Sequence, residues 1–236
     1  MLTNTVTAIK AATKNENRVN IFINEKFDFS LDIAQVIDLK IKVGKSLSAS
    51  ELSKCRKASE FGKLYQHTLE YVLSRPHSIK ETRDHLKKRL KNRELSNRYA
   101  IKNRERSREE REKFKLRTRE LALYTNADID AVIDKLQAKK YLNDESFAKY
   151  YLENRFDRKG ISARRLKEEL AKKGISEATI EKVFSDNPRD EQEEIKKIIK
   201  RKRGKYTEEK LIAYLVRQGF DYQLAKAAVH ETDSQN

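Results

Sequence analysis

Lys42-Val-Gly-Lys-Ser46 has the Gly-Lys-Ser ending of a phosphate-binding loop, in which backbone amides wrap a phosphate and the lysine meets it. The full motif needs a glycine five residues before Gly44, and Leu39 stands there instead. A loop without that glycine cannot curl round a phosphate, so nucleotide binding is not expected. His67, His77 and His85 fall near one another, yet no Cys or carboxylate stands at zinc-like spacing from them. They read as surface or packing histidines. Cys55 is the single cysteine and has no internal partner for a bridge. No nucleophile is paired with a base and no metal-ligand set assembles. An enzyme therefore has no residues behind it, and no cofactor or metal is implied.

The pattern that does point to chemistry is a pair of arginines. Arg164 and Arg165 occupy the second and third positions of a helix that begins after Ser162. The positive end of the helix dipole makes cations unfavourable there by about 0.3 to 1 kcal/mol each. The corresponding turns elsewhere in the chain carry the helpful sign, Glu81 or Glu208-Glu209. A helix N-terminus with two added arginines suits an anion, either phosphate or carboxylate. The pair is therefore expected to serve binding and not folding.

The helix that carries them has both stops written in. Ser162 is placed to cap it, and Ile161 can staple onto Leu166. Gly174 follows the last periodic residue, where a positive φ ends a helix, and Ile175 can pack back on Leu170. A second helix starts near Ser176 with Ile180, Val183 and Phe184 on one face. The same grammar returns 45 residues later: Thr207 for Ser162, Tyr206 and Leu211 for the staple, Leu215 for Leu170, and Gly219-Phe220 for Gly174-Ile175. Upstream, Arg75-Pro-His-Ser78 opens a third copy, with Glu81 closing a capping box and Leu86 where Leu170 stands. Its closing helix, Thr125-Asn-Ala-Asp-Ile129, aligns with Ser176-Glu-Ala-Thr-Ile180. Ser162 lies 84 residues after Ser78, so this copy holds about 39 extra residues.

Residues 5–29 differ in kind. Val6 to Ala11, Val19 to Ile23 and Lys26 to Phe29 read as strands, with turns at Asn15-Glu-Asn17 and Asn24-Glu25. A helix over 32–41 follows, with Gly44 ending it. Ser50 starts the helical part, and Phe61, Leu64, Tyr65, Thr68, Leu69, Val72 and Leu73 form a core stripe that Pro76 terminates. Residues 87–120 are rich in Arg, Lys and Glu without Gly or Pro, which predicts a projecting helical hairpin bending near 103–107, with a single long charged helix as the alternative. Asp144 is the expected N-cap of a helix over 145–157, whose Phe147, Ala148, Tyr151 and Leu152 share a face. Asn187-Pro188 separates the last two copies.

The fold expected is mainly α: three tandem three-helix repeats in a curved array, preceded by a small β-rich N-terminal cap, with a charged helical insertion in the first repeat. The expected divisions are 1–57 for the cap, 58–142 for repeat 1 with its insertion at 91–120, 143–186 for repeat 2 and 187–236 for repeat 3. With 37% hydrophobic against 38% charged residues, each repeat buries its stripe on its neighbours. A net charge of +16 and a pI near 9.7 imply an anionic partner, nucleic acid or an acidic protein surface. No apolar run is long enough to span a bilayer, and the N-terminus lacks a signal-peptide pattern, so a cytoplasmic protein is expected.

These residues together resemble the RecX family of bacterial recombination regulators. The resemblance rests on Arg18-Val-Asn-Ile-Phe with Phe27 and Phe29, on Arg75-x-x-Ser78-x-x-Glu81, on Tyr141-Leu-Asn-Asp144-Glu-Ser-Phe-Ala148, and on Gly160-Ile-Ser-Ala-Arg-Arg-Leu through Lys173-Gly-Ile. It implies a non-enzymatic, monomeric regulator that binds the RecA recombinase filament in its groove and mostly inhibits its strand exchange and ATPase, within DNA repair, recombination and the SOS response. It also implies weak, non-specific binding of single- and double-stranded DNA. The contact face would be the basic face of the repeats: Arg155, Arg158, Lys159, Arg164, Arg165, Lys167, Lys172, Lys173, Lys200, Arg201, Lys202, Arg203 and Lys205, with Arg75, Lys80, Arg83 and Lys87 as further contacts. The insertion departs from the compact family pattern. The competing reading is a tandem helix-turn-helix DNA-binding regulator. Against it, the exposed positions offer Lys, Arg and Glu, and few Asn or Gln for reading bases.

Overall fold

The structure, a computed structural model, describes residues 4–13, 15–102, 124–155, 160–202 and 204–233, with the side chains of 15, 92–102, 232 and 233 left out. It divides into two compact units, residues 1–74 with 83–139, and residues 75–82 with 140–236.

In the first unit, β1 (Asn4–Ala12), β2 (Asn15–Ile23), β3 (Lys26–Asp32) and β4 (Ser46–Leu47) form an antiparallel sheet in the order β3-β2-β1-β4. Asn24 and Glu25 both take positive φ (48° and 67°), as a two-residue hairpin turn with right-handed strand twist requires. Asn15 to Asn17, expected as a turn, fall within β2, where Asn15 pairs with Ala12. Alternation along the strands sends Val6, Ile21, Phe29 and Leu31 to one face, where they meet Leu52 and Cys55. Helix α1 (Ile33–Asp38) is shorter than expected. Asp32 and Gln35 close a capping box at its start, and Leu39 ends it before Lys40 turns to φ 49°. The Gly44 amide donates to the Val6 carbonyl at 2.8 Å, so this turn presents no phosphate cradle.

Helix α2 (Ala49–Ser74) is capped by Ser48, not Ser50: Ser48 and Glu51 exchange hydrogen bonds of 3.2 and 2.9 Å. It runs unbroken through residues 57 and 58. The sheet is bolted to it by Arg18, which donates to the Ser30 carbonyl at 2.5 Å and the Ser59 carbonyl at 3.4 Å, and by the bidentate Arg56–Asp28 pair at 2.7 and 2.8 Å. Farther along, Leu64 and Val72 are buried, as are Leu86 of α3 (Ile79–Lys102) and Ile129, Val132, Ile133 and Leu136 of α4 (Asn126–Ala138). Thr125 and Asp128 form the α4 capping box. His67 and His85 stack on each other, and Tyr71 stacks on His85, while His77 belongs to the other unit. The bend expected near 103–107, with the rest of the insertion to residue 120, lies outside the described residues.

The second unit holds two complete repeats. The first comprises α5 (Asp144–Arg155), α6 (Ala163–Lys172) and α7 (Glu177–Asp186) around Phe147, Leu152, Leu166, Leu170, Ile175, Ile180 and Val183. The second comprises α8 (Glu191–Lys202), α9 (Glu208–Arg217) and α10 (Tyr222–Asp233) around Ile195, Ile198, Ile199, Leu211, Leu215, Phe220 and Val229. α6 and α9 end identically. The amides of Ile175 and Phe220 reach the carbonyls of Leu170 and Leu215, and those of Gly174 and Gly219 reach Ala171 and Val216, the two bonds of a Schellman stop. Asp144 is not the cap of α5. Asn143 is, its side chain accepting from the Ser146 amide at 2.8 Å, because the Asp144 carboxylate is engaged by the Ile79 amide at 2.8 Å.

Candidate functional site

Capping serines also join consecutive copies. Ser162 accepts the Arg165 amide at 3.2 Å as the N-cap of α6, and its hydroxyl then donates to the Gln218 carbonyl at 2.7 Å. Ser78 does the same one copy earlier, accepting from Glu81 at 3.0 Å and donating to the Lys173 carbonyl at 2.8 Å. Lys173 and Gln218 are the C-caps of α6 and α9, so each bond satisfies a carbonyl that its own helix leaves unpaired. The next helix start, Thr207, differs. It makes no capping bond, and Tyr206, expected as a staple, is 38% exposed where Ile161 is 8% exposed.

Two of the first three amides of α6 are already engaged. The Ala163 amide donates to Glu191 at 2.9 Å, the Ile161 amide to Glu194 at 3.2 Å, and the Arg165 amide to Ser162. Glu191 supplies the negative charge that Arg164 and Arg165 deny the helix dipole, so those arginines are not balanced by a free anion site at the amides. Arg189 pairs with Glu194 at 3.2 Å and donates to the Ile161 carbonyl at 3.1 Å, with both charged side chains almost buried.

What the copies build instead is a cleft of about 240 Å³ beside this joint, lined by Arg164, Arg165, Glu168, Glu169 and Lys172 of α6 and by Arg217, Gln218 and Gly219. Arg165 reaches across and donates to the Gln218 side-chain oxygen, so it is built into the joint as well as facing the cleft. Arg164 is 69% exposed, with only a 3.8 Å approach to Glu168. Among the described residues, the Lys172 and Arg217 side chains make no hydrogen bond or ion pair. Glu169 is half committed elsewhere: it accepts from Tyr151 at 2.7 Å and from Arg155 at 3.1 and 3.2 Å. Burial pushes the Glu169 carboxyl up, but those bonds and the Arg155 and Arg165 charges outweigh it and hold it below its usual value.

The other expected contact residues divide by what they touch. Arg155 is held by Glu169, Lys167 by Glu181 at 2.6 Å beneath the Phe184 ring, and Lys173 by Glu81 at 2.5 Å. Lys80 donates to the Lys172 carbonyl at 2.9 Å, and Arg75 to the Pro76 carbonyl at 2.8 Å. Lys202 sits over the rings of Tyr206 and Tyr214. Lys200, Arg201 and Lys205 are exposed around the end of α8. Arg83, paired with Asp130 at 2.9 Å, and the exposed Lys87 belong to the first unit. Arg158, Lys159 and Arg203 lie outside the described residues. Of the whole set, the structure brings Arg164, Arg165 and Lys172 together. Sequence reasoning missed Arg217 and Gln218, although the 45-residue period that pairs Thr207 with Ser162 sets them opposite Lys172 and Lys173.

Residues 4–48 match the family model of the regulatory protein RecX N-terminal domain, and residues 143–183 match that of the RecX second three-helix domain. The regulatory protein RecX of Bacillus licheniformis is 27% identical over 98% of this chain and 78% of its own length. That of Bacillus velezensis is 29% identical with the same coverage. A crystal structure of a regulatory protein RecX superposes with a TM-score of 0.66 at 19% identity, covering 94% of this chain and 97% of that one, a likeness of fold. The sheet at one end and the helical repeat in the middle thus match RecX family models, and the RecX relatives align over nearly the whole chain.

Proposed function

We propose that the protein is a regulator that binds the RecA nucleoprotein filament and restrains its ATPase and strand-exchange activities by occupancy, without chemistry of its own. The observation that carries this reading is the cationic cleft at the joint between α6 and α9, where the Lys172 and Arg217 side chains make no hydrogen bond or ion pair among the described residues and Arg164 makes only a 3.8 Å approach to Glu168. Composition supports an anionic partner, with a net charge of +16. In this reading the protein acts as a monomer in the bacterial cytoplasm. It touches single- and double-stranded DNA weakly, without sequence preference and with steep salt dependence. No described helix is long and apolar enough to cross a membrane.

The test is RecA ATP hydrolysis on single-stranded DNA with increasing amounts of purified protein. Substoichiometric slowing is expected. Slowing only when the protein is present in amounts that coat the strand would identify a general DNA binder, and a footprint on one defined sequence that persists at high salt would identify a helix-turn-helix regulator.

A further inference from the structure

The two joints are copies of one design, and comparing them shows what one of them lacks. At the first, the four positions that face each other are Lys80 and Glu81 on α3, and Lys172 and Lys173 on α6. The Glu81 carboxylate fills this joint: it meets Lys173 at 2.5 Å and Arg75 at 3.5 Å, with the buried His77 ring also 3.5 Å away. At the second joint the same positions are Arg164, Arg165, Arg217 and Gln218, three cations with no carboxylate among them. Gln218 meets the Arg165 guanidinium with a neutral oxygen, and among the described residues the carboxylates that approach Arg164 and Arg165 come only from Glu168 and Glu169 of their own helix, at 3.8 and 3.7 Å. Lys172 adds a further cation to the wall.

We propose that this second joint is a receptor for a single carboxylate side chain presented by an acidic segment of a partner protein, which completes the joint from outside as Glu81 completes the first from within. The proposal rests on the filament-binding reading and names the chemistry by which the filament's protein would be held.

Three features favour a protein carboxylate over a nucleic-acid strand. The first joint shows that a carboxylate fits this geometry. A cleft of about 240 Å³ is smaller than the roughly 300 to 1,000 Å³ of drug-sized ligand sites and suits one side chain. Glu168 and Glu169 stand in the same wall, so a chain of successive phosphates would bring several negative charges near acid where one carboxylate brings a single charge.

The test uses the full chain with two variants. Gln218→Glu supplies the missing carboxylate internally, and Arg217→Ala removes one cation. Each is assayed for slowing of RecA ATP hydrolysis, for single-stranded DNA affinity across a salt series, for binding of a short oligoglutamate peptide, and for melting temperature. The expected result is a loss of both ATPase slowing and peptide binding of about tenfold or more in each variant, as removal of one charge-assisted contact implies. DNA affinity and its salt slope stay as in the wild type, and Gln218→Glu melts no lower than the wild type, which excludes misfolding. Undiminished slowing and peptide binding in both variants overturn the proposal. So does a parallel loss of DNA affinity with a salt slope reduced by about 1, which assigns the cleft to phosphate. If the wild type fails to slow RecA yet binds the peptide in a Gln218-dependent manner, the filament reading falls and the carboxylate receptor stands.

Discussion

Replacing Ser162 by alanine should cost far more than replacing Thr207, although both are N-cap residues at equivalent positions of successive repeats. Ser162 is fully buried and its hydroxyl does two things. Losing the bond from the Arg165 amide removes an N-cap, typically about 1 kcal/mol. Losing the donation to Gln218 strands a carbonyl beyond the end of α9 that no helical amide can reach, at about 1 to 3 kcal/mol. The sum is about 2 to 4 kcal/mol. With about 4 to 8 °C per kcal/mol for a domain of this size, the melting temperature of the second unit should fall by roughly 8 to 32 °C. Ser78→Ala removes the equivalent two bonds and should behave alike. Thr207 is exposed with no capping bond, so Thr207→Ala should stay within about 0.5 kcal/mol. Equilibrium urea unfolding followed by circular dichroism measures all three from their midpoints at constant slope. If Thr207→Ala proved as damaging as Ser162→Ala, local capping alone would explain both, and the hydroxyl bridge between repeats would have no energetic role.

Three further outcomes concern the second unit. Gly219→Ala should destabilise more than Gly204→Ala: both backbones take positive φ (96° and 78°), but a Cβ at Gly219 would lie 2.6 Å from the Ser162 hydroxyl, while one at Gly204 meets nothing within 4 Å. Urea midpoints decide it, and equal losses would assign the whole effect to backbone strain. Acid should loosen the second unit in a defined window. Burial raises the Glu81 carboxyl, but its Lys173 bond and the charges of Lys173, Arg75 and His77 lower it further, and Glu169 is likewise depressed. A carboxylate depressed in the folded state contributes stability that is present above about pH 4.5 and lost as pH falls through the depressed value, so melting temperature should drop below pH 4.5 and Glu169→Gln should flatten part of that drop. At the other extreme, burial and the Glu169 bond push the Tyr151 phenol up to about 12. Its neutral form therefore contributes stability that is present below pH 10 and lost as pH rises toward 12, a slope that Tyr151→Phe should remove.

Helix stops were legible in the sequence because their chemistry is local. Ser162, Ser176 and Thr125 cap through side chains three residues from the amides they accept, and Gly174 and Gly219 stop helices through their own φ. The 45-residue period likewise follows from the buried pairs Leu166 and Leu211, Leu170 and Leu215, and Ile175 and Phe220, which occupy matching places in two cores. What local pattern could not carry was the second duty of several residues. Asp144 looks like a cap by its position, yet its carboxylate serves an amide 65 residues away, and Asn143 takes its place. Glu191 and Glu194 look like first-turn acids of α8, and they are, but they also hold the amides of Ala163 and Ile161. Arg217 and Gln218 look like an ordinary helix end. Their part in the cleft exists only once α9 is laid against the start of α6.

The same distinction limits what net charge says about binding. An excess of sixteen positive charges suggests a broad adhesive face, and the basic residues of the repeats read as one continuous candidate surface. In the folded chain many of those cations are already committed: Arg155 to Glu169, Lys167 to Glu181, Lys173 to Glu81, Lys182 to Glu145, Arg189 to Glu194. Such pairs fix side chains and mask charge, so each can leave net charge unchanged while removing a contact from the available surface. A cation that lacks a fixed internal partner has no such bond to break before it meets an anion. Among the described residues Lys172 and Arg217 meet that condition, beside Arg164 with its long 3.8 Å approach to Glu168, around a single concavity, whose walls are set by the Ser162 bridge and the Schellman stop of α9. Preorganised cations in a shaped cleft select a partner by geometry, whereas a diffuse basic face selects only by charge and loses affinity to salt. On the reading proposed above, specificity for a protein partner would reside in the joint, and the remaining exposed cations, Lys200, Arg201 and Lys205 among them, would supply the weaker, salt-sensitive attraction to DNA.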